Sequence, residues 1–241
     1  MTSLRVVALA VWTFLAGGTA GLARNLIFWD KVMGARSAAW WTSLWGRVAA
    51  RIIGFRVRVS GTRPASGSFV VANHTTWADI LVFGGESTAL FIAKAEIASW
   101  PIFGFLARNG STLFIDRSRM RDTARLREEL RWYLENNINV NIFAEGGAGS
   151  GEKIRTFRAP LFETPATLGV PCVPTVIKYS DERAWWPEDR GLLDHVKQVM
   201  QIQNLRVDVR FGDPVVGISN RKELAIELQR RCEELYLAPV E

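Results

Sequence analysis

The sequence predicts an α/β fold, a layered mixed sheet flanked by helices, with an N-terminal membrane-associated helical segment. Three observations carry that expectation. Apolar runs of strand length alternate with segments of helical periodicity from residue 55 onward. The first fifty residues differ in character, with a long uncharged stretch followed by a basic segment rich in tryptophan. No internal repeat, low-complexity tract or long linker follows, and 241 residues are enough for one such domain with an appended segment. The expected organisation is membrane-anchoring helices over residues 1–54 and a globular domain over residues 55–241.

From Val6 to Ala23 there are 18 residues without a charge, the lower limit for a membrane span, and Gly17, Gly18 and Gly21 weaken them as a rigid helix. Arg24, Lys31, Arg36, Arg47 and Arg51 follow. A membrane anchor, spanning or lying in the interface, is favoured over a buried core helix and over a signal peptide cleaved after Gly21-Leu22-Ala23. Trp41, Leu44, Trp45, Val48 and Ile52 then recur at helical spacing, while Arg47 and Arg51 fall on another face. That pattern suits a basic amphipathic helix on a membrane surface; the competing reading packs the same stripe on the core. If the first segment spans, the excess of Lys and Arg after it places the remaining chain on the cytoplasmic side.

The strand-like runs are Phe55–Ser60, where Val57 and Val59 alternate with Arg56 and Arg58, then Ser68–Asn73, Ala89–Ala93, Leu113–Ile115, Val140–Ala144, Cys172–Lys178 and Leu205–Phe211. The clearest helices between them are Arg119–Glu135, with Leu126, Leu130 and Tyr133 on one side, and Asn220–Tyr236, with Leu224, Ile226, Leu228 and Leu235. The most apolar strands are expected at the centre, with a site at the strand ends.

The chain is 48% hydrophobic, carries 10 Trp and has a net charge of +6. Tryptophan is favoured at membrane–water interfaces, and the positive charge calls for an anionic partner. The basic residues are dispersed and form no recognition module, so a lipid surface or an acidic protein fits better than nucleic acid. Cys172 and Cys232 lie far apart, with neither metal-ligand spacing nor a disulfide framework, so reduced thiols and no metal site are expected.

His74-Thr75-Thr76-Trp77-Ala78-Asp79 follows the apolar run Phe69-Val70-Val71-Ala72, where a strand gives way to a helix. From the first helical turn Asp79 can reach back to Nδ1–H of His74, fix its tautomer and leave Nε2 free to take a proton from a hydroxyl. A His-x4-Asp spacing arises by accident in roughly one such chain in thirteen. The bland alternative is a buried histidine donating to a backbone carbonyl.

Other residues decide between them. Gly110-Ser111-Thr112-Leu113-Phe114-Ile115-Asp116-Arg117, Phe143-Ala144-Glu145-Gly146-Gly147 and Val170-Pro171-Cys172-Val173-Pro174 also lie at or near strand ends. With the His74–Asp79 run, these blocks resemble, in order and approximate spacing, the four blocks of the lysophosphatidate (1-acylglycerol-3-phosphate) acyltransferase family, over most of Val57 to Val176. The resemblance implies a glycerolipid acyltransferase-like fold and an acyltransferase domain over residues 55–241. It implies that His74 deprotonates an acceptor hydroxyl while Asp79 orients it, and that no acyl-enzyme forms. It further implies that Asp116 and Arg117 meet an anionic group on the acceptor, since a guanidinium forks onto such oxygens. Glu145 with Gly146 would bind the acceptor or hold the local turn. Pro171 and Pro174 would shape the start of a strand and the wall of an acyl channel. No cofactor is implied; acyl carrier protein or acyl-CoA brings the acyl group, and the enzyme would sit at the inner (cytoplasmic) membrane, facing the cytoplasm.

The third block departs from the Phe-Pro-Glu-Gly-Thr-Arg-Ser of phosphatidate-forming members. Ala148 stands where that block has arginine, which removes a cation expected beside a phosphate. A closer likeness is to the branch that acylates lyso-ornithine lipid, through Lys94-Ala95-Glu96-Ile97-Ala98-Ser99-Trp100-Pro101-Ile102-Phe103-Gly104, Phe157-Arg158 with Leu161-Phe162, and Val207-Asp208-Val209-Arg210-Phe211-Gly212. Lys94 joins the expected substrate-binding residues on that basis. The run Gly146–Lys153 is not a phosphate-binding loop, because Glu152 separates the last glycine from the lysine. A Gly-x-Ser-x-Gly nucleophile elbow is absent, which argues against a serine hydrolase. The rival from another class is a non-catalytic membrane-binding protein, in which His74 has no chemical role.

Overall fold

A computed structural model describes residues 2–27, 29–116, 120–186 and 190–239. Two long helices come first, α1 (Thr2–Leu26) and α2 (Lys31–Ile53). Asp30 caps α2 by accepting from the N–H of Met33. Gly54 ends it at φ 96°, a left-handed conformation that only glycine adopts without strain, and its N–H returns to the carbonyls of Ala50 and Arg51.

Seven strands follow: β1 (Arg56–Ser60), β2 (Phe69–Ala72), β3 (Leu90–Lys94), β4 (Leu113–Ile115), β5 (Val140–Phe143), β6 (Cys172–Tyr179) and β7 (Arg206–Phe211). Each of the seven expected strands is present, within a residue or two at its ends. They form one sheet in the order β1-β7-β6-β2-β5-β3-β4. All pairs are parallel except β6 with β7, so the sheet is mixed. β2 lies at the centre and all four of its residues are buried, as its apolar sequence requires.

The remaining helices are α3 (Asp79–Ser87), α4 (Pro101–Asn109), α5 (Met120–Glu135), α6 (Glu163–Leu168), α7 (Leu192–Gln201) and α8 (Arg221–Leu237). Alternation along β2 supplies two cores. Val70 and Ala72 face α2, α3 and α7, together with Leu81, Phe83 and Val199; Phe69 and Val71 face α5, α6 and α8, together with Leu130, Ala166 and Leu228. Each fully buried side chain of this size contributes about 1.5–3 kcal/mol.

Two helical stripes differ from expectation. On α8 the buried line is Leu224, Leu228 and Cys232, spaced by four, whereas Ile226 is 68% exposed because it lies roughly 200° round the helix from Leu224. On α2 the deeply buried face is made of small residues, Ala35, Ala38, Ala39, Ser43, Gly46, Ala49 and Ala50, with Trp45 and Ile53 at its margin. Trp41, Leu44, Val48 and Ile52 are only half-buried, and Trp40 is exposed. The small stripe lets α2 lie almost backbone-to-backbone on α3: Ser43 donates to the carbonyl of Gly85 at 3.0 Å, and a Cβ on Gly46 would stand 2.4 Å from the carbonyl oxygen of Leu81.

α1 packs on α2 and α4. The indole of Trp12 donates to the carbonyl of Trp45, the indole of Trp45 donates to Thr13, and Arg5 donates to the carbonyl of Ile53. The other side of α1 presents Leu4, Val7, Val11, Phe14, Leu15 and Leu22 to the outside. Residues Leu4–Ala23 are long and apolar enough to cross a membrane.

Gly46→Val forces α2 and α3 apart, and such overpacking costs about 1–3 kcal/mol. A lowered thermal midpoint in detergent-solubilised protein checks this, with Gly18→Val on α1 as control, since no atom lies within 4 Å of a Cβ there.

Candidate active site

β2, β3, β4, β5 and β6 are mutually parallel, so their C-terminal ends lie along one edge of the sheet. That edge carries His74 just after β2, Lys94 ending β3, Asp116 after β4, Glu145 after β5 and Tyr179 ending β6. Strand direction alone thus places side chains far apart in the sequence at one edge of the sheet.

Asp79 is the first residue of α3 and is fully buried. Its Oδ2 accepts from the backbone N–H groups of Thr75 at 2.6 Å and Thr76 at 3.0 Å, and lies 2.8 Å from Nδ1 of His74. Its Oδ1 accepts from the hydroxyl of Tyr179 at 2.7 Å. Four donors converge on one carboxylate. An ionised carboxylate only accepts, so Nδ1 carries the proton and Nε2 presents a lone pair. Burial, and then the charge of Asp79, push the Tyr179 phenol well above its ordinary value, which keeps it a donor.

The surrounding loop is tied down. Asn73 bridges to Ile177 on β6 through both amide atoms, at 3.0 and 2.8 Å. The carbonyl of His74 accepts from Gly149, and that of Thr75 accepts from Trp186. Phe143 stacks on the imidazole, with centroids 4.1 Å apart and planes 14° from parallel, and so supports the ring plane that the Asp79 contact orients.

His74 opens into an apolar cavity of about 640 Å³ between the sheet edge and helices α1, α2 and α4. Ala16 and Gly17 of α1 line it, as do Phe91 and Phe143. Five of the ten tryptophans, Trp41, Trp45, Trp77, Trp100 and Trp186, wall it too, so half of the tryptophan surplus serves this cavity. Lys94 and Gly146 stand at its margin, the latter at φ 84° in the left-handed turn that follows β5.

Glu145 is elsewhere engaged. Its buried carboxylate accepts from the backbone N–H and Nε of Arg155, at 3.3 and 3.1 Å, while the same guanidinium donates to the carbonyl of Gly147. Burial raises the Glu145 carboxyl above its ordinary range, and the hydrogen bonds and charge of Arg155 oppose the rise. A Cβ on Gly149 would lie 2.8 Å from Nε of Arg155, so the glycine turn is what admits the guanidinium. A cation therefore stands beside the third block despite Ala148, supplied from seven residues further on. The only sequence signal for it is the density of glycines that lets the chain fold back. Tyr179 was missed for a different reason: 100 residues separate it from Asp79, and nothing local links them.

Arg117 lies outside the described residues. Asp116 is half-buried at the end of β4 and does not line the His74 cavity. Pro171 and Pro174 stand at the start of a strand, β6, as expected, but their expected place in the cavity wall needs correction. β6 runs parallel to β2, so its start lies at the edge opposite His74, and Pro174 packs against Gly212 near Leu235 on the α8 face. Neither proline lines the cavity; what β6 delivers to the site is its other end, Tyr179. The second histidine, His195, is buried in α7 with its ring stacked on Trp186, and does not itself line the His74 cavity.

His74→Ala and Asp79→Asn are each expected to lower acyl transfer by about 10²–10⁴-fold, the range of a positioned general base. Steady-state rates on purified protein check this. Tyr179→Phe leaves Oδ1 of a buried carboxylate without its donor, which costs about 1–3 kcal/mol of stability. It is expected to reduce kcat less than Asp79→Asn does, with KM unchanged, because three of the four donors remain.

Comparison with known proteins agrees with this geometry. The Acyltransferase family profile matches residues 55–178. Lyso-ornithine lipid O-acyltransferase of Rhizobium meliloti (strain 1021) is 32% identical over 218 residues, covering 81% of this chain and 74% of the relative. The enzyme of that name from Pseudomonas aeruginosa is 33% identical over 201 residues, covering 81% and 76%. The 1-acyl-sn-glycerol-3-phosphate acyltransferase of Neisseria gonorrhoeae is 32% identical over 171 residues, covering 69% and 67%. The crystal structure of the 1-acyl-sn-glycerophosphate acyltransferase PlsC from Thermotoga maritima superposes over the whole of both chains with a TM-score of 0.68 at 22% identity, a likeness of fold. With His74 and Asp79 joined at the sheet edge inside the matched region, the chain belongs to the Acyltransferase family and is an acyltransferase of the lysophospholipid and 1-acylglycerol-3-phosphate type.

Proposed function

We propose that the enzyme transfers a fatty acyl group from a thioester, acyl carrier protein or acyl-CoA, to the hydroxyl of lyso-ornithine lipid. The observation that carries the chemistry is the His74 imidazole, fixed through Nδ1 by a fully buried Asp79 and facing an apolar cavity. Nε2 takes the proton of the acceptor hydroxyl as its oxygen attacks the thioester carbonyl. The carbon–sulfur bond then breaks, and the departing sulfur receives that proton as a thiol. No protein nucleophile is required, because the thioester is already activated and both substrates are held together.

Three features support the choice of acceptor. Relatives named for lyso-ornithine lipid match over about four-fifths of the chain. The third block lacks its arginine at Ala148. The guanidinium of Arg155 is held by Glu145 and by the carbonyl of Gly147. A second acceptor, lysophosphatidate, is favoured by the Neisseria relative. The exposed apolar side of α1 and its length support a seat in the inner membrane, spanning or lying in the interface, with the sheet on the cytoplasmic side.

Purified protein given each lyso-lipid with the same acyl thioester is expected to acylate lyso-ornithine lipid at least tenfold faster, measured as kcat/KM by mass spectrometry of the products. Equal or greater activity on lysophosphatidate would assign the enzyme to phosphatidate formation instead.

A further inference from the structure

A second cavity, of about 970 Å³, lies on the other face of the sheet, between α5 and the segment 153–164. Arg127, Lys153, Arg155 and Arg158 all line it, and the only carboxylate among its described lining residues is Glu145, already held by Arg155. Arg158 bonds the backbone carbonyl of Glu145, and no carboxylate pairs with Arg127 or Lys153 among the described residues. The cavity thus carries a surplus of three positive charges over an apolar floor of Ile92, Ile115, Leu126 and Leu130. Its size is that of a small-molecule site, and a cleft lined by one sign of charge concentrates the opposite ion.

We propose that this cavity binds the phosphate of the phosphopantetheine arm of the acyl donor. The inference rests on the thioester-dependent reading above. Two observations select the donor. No residue of α1 or α2 lines this cavity, whereas both helices line the His74 cavity, so the basic cavity faces water and the apolar one faces the lipid-directed helices. A membrane-borne acceptor reaches the second; a water-borne carrier reaches the first. A zwitterionic ornithine headgroup also carries no net charge to match the positive surplus, while a phosphate does and accepts charge-assisted bonds from guanidinium and ammonium groups. The cavities flank the turn after β5, where Glu145 lines one and Gly146 and Gly147 line the other, and Ile92 lines both. A thioester arm anchored in the basic cavity then crosses this turn to reach His74.

The test is calorimetric titration of the full-length protein in detergent with 4′-phosphopantetheine and with pantetheine, on the wild type and on Arg127→Glu/Lys153→Glu, alongside the milder Arg127→Gln/Lys153→Gln. Phosphopantetheine is expected to bind at least tenfold more tightly than pantetheine and to lose at least tenfold in the charge-reversed variant, with an intermediate loss in the neutral one. The KM for acyl-CoA and for acyl carrier protein should rise at least tenfold, with the KM for lyso-lipid unchanged. Equal binding of pantetheine, or of phosphopantetheine to the variants, overturns the proposal. A raised KM for lyso-lipid alone assigns the cavity to the acceptor headgroup and overturns it too. Displacement of phosphopantetheine by equimolar inorganic phosphate would mark a free-phosphate site instead. If no lyso-lipid is acylated, the functional reading fails, and the titrations still decide whether the cavity takes this phosphate.

Discussion

The site depends on keeping one carboxylate ionised in a place where water cannot reach it. Asp79 is fully buried, and an isolated charge there would be driven to neutralise itself. Two backbone N–H groups, a phenol and an imidazole N–H supply the compensation. The four donors come from three parts of the architecture. The backbone groups come from the tight turn before α3, the imidazole from the end of β2, and the phenol from the end of β6. The sheet must therefore assemble with β6 beside β2 in parallel register before the carboxylate is satisfied, which couples the catalytic pair to the correct strand order.

The small-residue face of α2 plays the matching role on the side of the N-terminal helices. Because Ser43, Gly46 and Ala50 allow close approach to α3, the helix that follows the apolar N-terminal segment is packed against the same helix that begins at Asp79. The bulkier aromatic residues of α2 are displaced sideways, where Trp41 and Trp45 become cavity wall. Helices that resemble membrane anchors by composition are structural neighbours of the base.

Much of this was legible in the sequence. Short apolar runs marked all seven strands, and the His74–Asp79 spacing stated its own geometry, since five residues bridge a strand end and a first helical turn. What could not be read depends on contacts distant in the chain. Tyr179 reaches Asp79 only through the pairing of β6 with β2, and Arg155 reaches Glu145 only because a glycine turn doubles back. The small stripe of α2 was hidden by the louder tryptophan pattern on its flank. Pro171 and Pro174 do stand at the start of β6, but only the direction of that strand, which the sequence does not state, puts its start at the edge away from His74.

The apolar cavity straddles the boundary that composition draws near residue 54. Ala16, Gly17, Trp41 and Trp45 belong to the chain before that boundary, and His74, Phe91 and Phe143 to the chain after it. A fragment starting at Phe55 would retain the catalytic pair but lose one whole side of the apolar chamber onto which His74 opens. The N-terminal helices and the catalytic pair are thus one packed unit. In the membrane seat proposed above, packed side chains would set the height of the base above the lipid, and a change in bilayer thickness would be felt at the cavity wall.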